Sequence, residues 1–217
     1  MATNNSANTS SGKLSLETTG DLQLEYIGGT SWSHGLDDDD SDAFKLCTGI
    51  VLGANTTFSM STAGERTLPL QPMFLAYLGT TDSNVTGDAT LFRLGSGNAL
   101  TESFDLGGNF ATNGYFTAPT AGRYFFGAAI LLDGVLSTHT IMQMFIYNGG
   151  AGFEQQRTKP GDYQAGGKLG GIINIILDLA AADVVSVRVE LNGIPSSKVV
   201  DVVGSADMCT RFYGGLM

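Results

Sequence analysis

Five carboxylates stand within six residues, Asp37, Asp38, Asp39, Asp40 and Asp42. Clusters of oxygen ligands suit a hard cation such as calcium, and Asp37, Asp39 and Asp42 are the candidates to hold one. The spacing lacks the glycine and the distal glutamate of an EF-hand loop, so the competing reading is a solvated turn. His34 and His139 are the only histidines and fall in separate segments, outside any His-Glu-x-x-His pattern. Both are expected to be structural. Cys47 and Cys209 are the only cysteines, which gives neither a disulfide framework nor a zinc pattern and leaves two buried free thiols as the expectation. The sequence has no nucleophile elbow, phosphate-binding loop or Cys-x-x-Cys pair, and Gly95-Ser96-Gly97 lacks the further glycine and helix that dinucleotide binding needs. Paired carboxylates of glycosidase type come together only in a fold, and no pattern here points to a pair. No catalytic or cofactor-binding residue is therefore assigned.

The elements that would carry these residues are strands. Period-two alternation appears at Leu14 and Leu16, at Leu22, Leu24 and Tyr26, at Phe44 and Leu46, and at Phe58 and Met60. Residues 1–12 are mostly Asn, Ser, Thr and Ala without apolar periodicity and read as a flexible or docking tail. The strands of residues 13–70 are too short to bury much surface in a lone monomer. Three chains side by side would cover them. Pro69 and Pro72 hold the chain extended, placing a boundary between an N-terminal arm over 13–70 and a domain over 71–217.

Beyond the prolines, strands are expected at Met73–Leu78, Thr90–Leu94, Phe104–Asp105, Gly114–Thr117, Arg123–Leu132, Thr138–Tyr147, Gly171–Leu179, Val184–Leu191 and Met208–Leu216. Turns fall at Asn113-Gly114, Asn148-Gly149-Gly150 and Asn192-Gly193. Two runs, Tyr124–Leu132 and Ile172–Leu177, are apolar on both faces. The second face either meets another subunit or lies under a loop. Met142, Met144 and Phe145 read as core. The Asn-x-Ser/Thr triplets beginning at Asn4, Asn8, Asn55 and Asn84 read as turn composition.

Thirty glycines and only 15% charged residues suit an all-β protein rich in turns. A net charge of −10 without clustered Lys and Arg argues against nucleic acid and anionic membranes. Residues 1–70 hold nine acidic and three basic side chains, against twelve and eight in 71–217, so a basic partner would suit the arm. No signal peptide and no run of about 18 apolar residues is visible, and synthesis in a cytoplasm without membrane insertion is expected.

The segment Phe116-Thr-Ala-Pro-Thr-Ala-Gly122-Arg-Tyr124-Phe-Phe126 resembles the signature of the complement component 1q globular head, a relative of tumour necrosis factor. Pro119 and Gly122 make a turn, after which Tyr124 and Phe126 share one face of a strand. Phe74-Leu-Ala-Tyr77, Asn109-Phe110, Leu179–Val189 and Arg211–Leu216 follow the family's order. The resemblance covers residues 71–217 and implies a jelly-roll β-sandwich in a homotrimer. The arm resembles segments that precede such heads in bacteriophage tail-fibre and head-fibre proteins, through Trp32–Leu46, Leu52-Gly53, Thr62–Glu65 and Leu68–Pro72.

These resemblances imply a non-enzymatic virion surface protein, a trimeric fibre or knob anchored by its arm to a capsid or tail protein. Host attachment through a surface glycan or protein would use head loops such as Gly79–Asp88 and Gly149–Gln164. The alternative is a capsid decoration protein that cements the shell without binding a receptor.

Overall fold

The computed structural model describes residues 20–160 and 167–217. The expected tail over residues 1–12, Leu14, Leu16 and part of the 149–164 loop lie outside the described residues. Two compact units divide the chain, one ending at Gln71 and the other running Pro72–Met217.

The first unit is an antiparallel meander of β1 (Leu22–Tyr26), β2 (Trp32–Asp37), β3 (Ala43–Thr48), β4 (Thr56–Met60) and β5 (Arg66–Thr67), in that order across the sheet. Short Gly- and Asp-rich links return each strand beside its predecessor. The link between β2 and β3 is a single 3-10 turn, Asp38–Asp40, followed by Ser41 and Asp42 at φ 58° and 59°. β2 and β5 are additional to the expected strands. Gly35 interrupts the alternation of β2 for a steric reason: a Cβ there would stand 1.8 Å from the Leu22 carbonyl oxygen of β1.

The second unit holds β6 (Met73–Tyr77), β7 (Asp82–Thr86), β8 (Phe92–Arg93), β9 (Thr101–Leu106), β10 (Phe110–Ala111), β11 (Tyr115–Thr117), β12 (Gly122–Val135), β13 (Ile141–Asn148), β14 (Ala151–Thr158), β15 (Gly167–Leu179), β16 (Val184–Asn192), β17 (Val200–Val202) and β18 (Arg211–Leu216). One sheet runs β9-β6-β18-β12, with β15 on the other side of β12 and β17 and β7 joining near its C-terminal end. The other runs β10-β11-β16-β13-β14, with β8 also on β16. The chain crosses from β12 to β13 and β14 in the second sheet, back to β15, over to β16 and back to β17 and β18. Two facing antiparallel sheets joined by repeated crossings are a jelly-roll sandwich, and the fold is all-β as the composition implied.

Alternation fills the space between the sheets. Tyr124, Phe126, Ala128, Ile130 and Leu132 point inward from β12, facing Met142, Met144 and Ile146 of β13 and Val185, Val187, Val189 and Leu191 of β16. Phe74 anchors an aromatic group with ring centroids 4.5 Å from Phe110, 5.1 Å from Phe116 and 4.9 Å from Phe212. The Tyr124 hydroxyl donates to the Thr120 carbonyl at 2.8 Å, so its burial leaves no orphaned polar atom.

Three expectations are corrected. Gly79–Asp88 is not a free loop, since β7 occupies Asp82–Thr86 and pairs with β17; its polar, turn-forming residues hide an edge strand. Gly149–Gln164 likewise contains β14, which forms a hairpin with β13 across Gly149-Gly150. The last strand starts at Arg211, and Cys209 precedes it.

Candidate functional site: two apolar sheet faces and an acidic turn

At the acidic turn the chain supplies its own cation. Lys45, on the neighbouring strand β3, reaches Asp37 at 2.8 Å and Asp40 at 2.6 Å. Asp37 and Lys45 are both buried. Burial disfavours the Lys45 ammonium, yet its hydrogen bonds to Asp37 and Asp40 outweigh that and hold its pKa above the ordinary value. Asp39 and Asp42 are exposed. Asp38 donates its backbone N–H to Asp21, and a hydrogen bond between the two side chains, with smaller effects of desolvation and of the neighbouring Asp39 charge, raises the Asp38 pKa. Among the described residues no group of three or more His, Cys, Asp or Glu is arranged to hold a metal.

Pairing in the arm puts its apolar side chains on one face. Leu22, Leu36, Phe44 and Met60 lie opposite one another across four strands, and Leu24, His34, Leu46 and Phe58 form the next row. Tyr26 and Trp32 extend it. Tyr26 stacks on His34 at 5.5 Å, so that histidine is part of the apolar face. The face is open in the single chain: Leu24 is 48% and Tyr26 57% exposed. Its reverse side holds Ser33, Asp37, Ala43, Lys45 and Cys47, all buried.

The head repeats this arrangement on the outer side of its first sheet. Ile176, Phe125, Gly215, Met73 and Leu106 make one row across β15, β12, β18, β6 and β9, and Asn174, Gly127, Tyr213, Leu75 and Phe104 make the next. Ile172 and Ile176 are 60% and 56% exposed, and Met73, Phe104, Leu106 and Phe125 are exposed as well. A shallow cavity of about 300 Å³ lies over Met73, Phe104, Phe125, Tyr213 and Met217. Of the two readings for the apolar second face of β12 and β15, cover by a loop does not occur among the described residues. The half of this face on β6 and β9 was not legible from periodicity, because Met73 and Phe104 alternate with residues of similar apolarity or belong to a strand read as two residues long.

The remaining candidates are placed as follows. His139 is buried, with Leu136 donating its backbone N–H to Nδ1 at 2.8 Å. Cys47 is buried and Cys209 half-buried, both as free thiols. Met142 and Met144 are core, whereas Phe145 faces outward and is half-buried. Asn55 and Asn84 sit in left-handed turn conformations, at φ 50° and 55°; Asn4 and Asn8 lie outside the described residues.

No protein-family model matches the chain, and no curated protein matches it. Solved structures similar to it include the globular domain of a zebrafish complement 1qA protein, at 14% identity and a TM-score of 0.45, covering 68% of this chain and 97% of that one. Crystal structures of murine APRIL at pH 8.0 and pH 5.0 are similar at 10% and 11% identity, each with a TM-score of 0.45, covering 68% of this chain and 99% of theirs.

Proposed function

We propose that this chain is a non-enzymatic virion structural protein, a homotrimer whose jelly-roll heads form a knob projecting from a bacteriophage particle for host attachment. The observation that carries the trimer is the pair of apolar faces. Contiguous exposed apolar surface of this kind marks an interaction site in a folded protein, and each unit has one. A homo-oligomer covers both with copies of the same chain. The virion assignment rests on the order of motifs in the arm, Trp32–Leu46 through Leu68–Pro72, which resembles phage fibre proteins. Arms directed to the particle leave the heads outward, and three heads on one particle give avidity to weak single contacts.

A second reading is favoured by charge. The arm is denser in carboxylates than the head, which suits docking on a basic capsid surface, with the trimer cementing the shell as a decoration protein. One experiment separates the two. Purified chain is added to host cells before infection: under the attachment reading it occupies the receptor and lowers particle adsorption, whereas under the decoration reading adsorption is unchanged and particles lacking the chain lose heat resistance instead. Neither effect, in particles shown to contain the chain, would overturn both readings.

A further inference from the structure

On the outer side of the head's second sheet, two arginines stand directly opposite each other on adjacent antiparallel strands, Arg93 of β8 and Arg188 of β16. Like charges in that register repel, so the pair needs an explanation. Tyrosines from the next row hold both planes: the Arg93 guanidinium lies 4.1 Å from the centroid of Tyr115, and that of Arg188 lies 4.0 Å from the centroid of Tyr147. Tyr115 and Tyr147 each pair with Ser186, so the two stacks flank one position of the sheet.

A cavity of about 530 Å³ opens there, lined by Arg93, Arg188, Tyr115, Lys198, Asn84 and Ser96 among others. Three of the chain's eleven Lys and Arg residues thus converge on one cavity in a protein of net charge −10. Among the described residues none of the three has a carboxylate within ion-pair distance. Arg93 donates to the Asn113 carbonyl, and the buried Nε of Arg188 has no partner. Among the described residues no acid lines the cavity. Asp88 is within electrostatic reach of Lys198, Glu190 follows two positions after Arg188 and accepts from Asn192, and Asp201 accepts the Asn84 backbone N–H at 2.7 Å.

We propose that this cavity binds an acidic saccharide, its anionic group bridging the Arg93 and Arg188 guanidiniums. Planar guanidinium forks stacked on tyrosine rings match a carboxylate better than flexible ammonium groups do. Lys198 adds charge at the rim, and Asn84 and Ser96 offer polar groups to the sugar hydroxyls. Sugar rings also pack on tyrosine, an apolar body with a polar tip. The site rests on the attachment reading and gives it a ligand class, a negatively charged surface polysaccharide.

The test uses the full chain and calorimetric titration with a galacturonic acid hexasaccharide, its methyl-esterified counterpart and inorganic phosphate. The acid hexasaccharide is expected to bind, and the ester, which keeps the sugar but lacks the charge, at least tenfold more weakly. Arg188→Gln should weaken binding about tenfold and the exposed Lys198→Gln about threefold. Lys198→Gln keeps the test valid if Arg188→Gln unfolds the head. Equal binding of acid and ester, or binding of phosphate without the saccharide, overturns the proposal. Adsorption to host cells is read in parallel. If it survives in a folded Arg188→Gln chain, attachment stands and this site falls; if the saccharide binds as expected while the wild-type chain never adheres to cells, the site stands and the attachment reading falls.

Discussion

Lys45 shows how one residue draws part of an acidic run into an ion pair. Its ammonium lies 2.8 Å from the Asp37 carboxylate and 2.6 Å from that of Asp40. Lys45→Met leaves Asp37 buried and unpaired, an expected cost on the order of 3 kcal/mol. Trp32, the only tryptophan, lies in the same sheet, so the loss is read as a lower midpoint in its fluorescence on denaturant unfolding. Adding Asp37→Asn should recover part of it. Because the folded-state pKa of Lys45 is raised, its contribution is fully present below the ordinary value of 10.5 and is lost as pH rises through the folded value. His139 works in the opposite sense. Burial pushes its pKa below the ordinary 6.5, against a smaller opposing effect of the Leu136 backbone. Its contribution is therefore present above that pH and lost as pH falls towards the folded value. His139→Asn keeps an acceptor for the Leu136 N–H and cannot titrate. Its Tm should fall less than wild type between pH 7 and pH 5, and parallel curves would refute the assignment.

Turns set which strands meet, and two glycines show that they do so for different reasons. Gly114, between β10 and β11, has φ +88°, and a Cβ there would stand 1.9 Å from the Leu94 carbonyl oxygen. Gly114→Ala should cost on the order of 3 kcal/mol, because strained backbone and a backbone clash add. Gly149, in the hairpin between β13 and β14, also has positive φ, at +56°, but nothing lies within 4 Å of its would-be Cβ. Asparagine tolerates that conformation. Gly149→Asn should therefore change stability by less than about 0.5 kcal/mol. Thermal unfolding of the two variants distinguishes packing from backbone preference.

For the molecule as a whole, the decisive property is that both units leave an apolar sheet face open. Ile172 and Ile176 point outward from β15, so replacing them leaves the core between the sheets untouched. Ile172→Asp with Ile176→Asp should lower the solution mass of the full chain, measured by light scattering, from that of three copies, with circular dichroism unchanged. An unaltered mass would mean that assembly does not use the head face, and would leave the arm face of Leu24, Tyr26 and Trp32 to carry it.

The sequence by itself determined the all-β class, the central strand with Tyr124 and Phe126 turned inward, the turns at Gly114 and Gly149, and the doubly apolar runs that became an open face. Each of these is written in local alternation or in turn chemistry, which neighbouring residues carry between them. Only the tertiary structure decided that Lys45 fills the acidic turn, that β7 and β14 are strands, and that Arg93 and Arg188 face each other. Those outcomes depend on strand pairing and register, across a hairpin for Lys45 and β14 and between segments far apart in the chain for β7 and the two arginines. Edge strands rich in polar residues are held by backbone pairing with a partner, and a charge finds its neighbour only when that pairing sets the register.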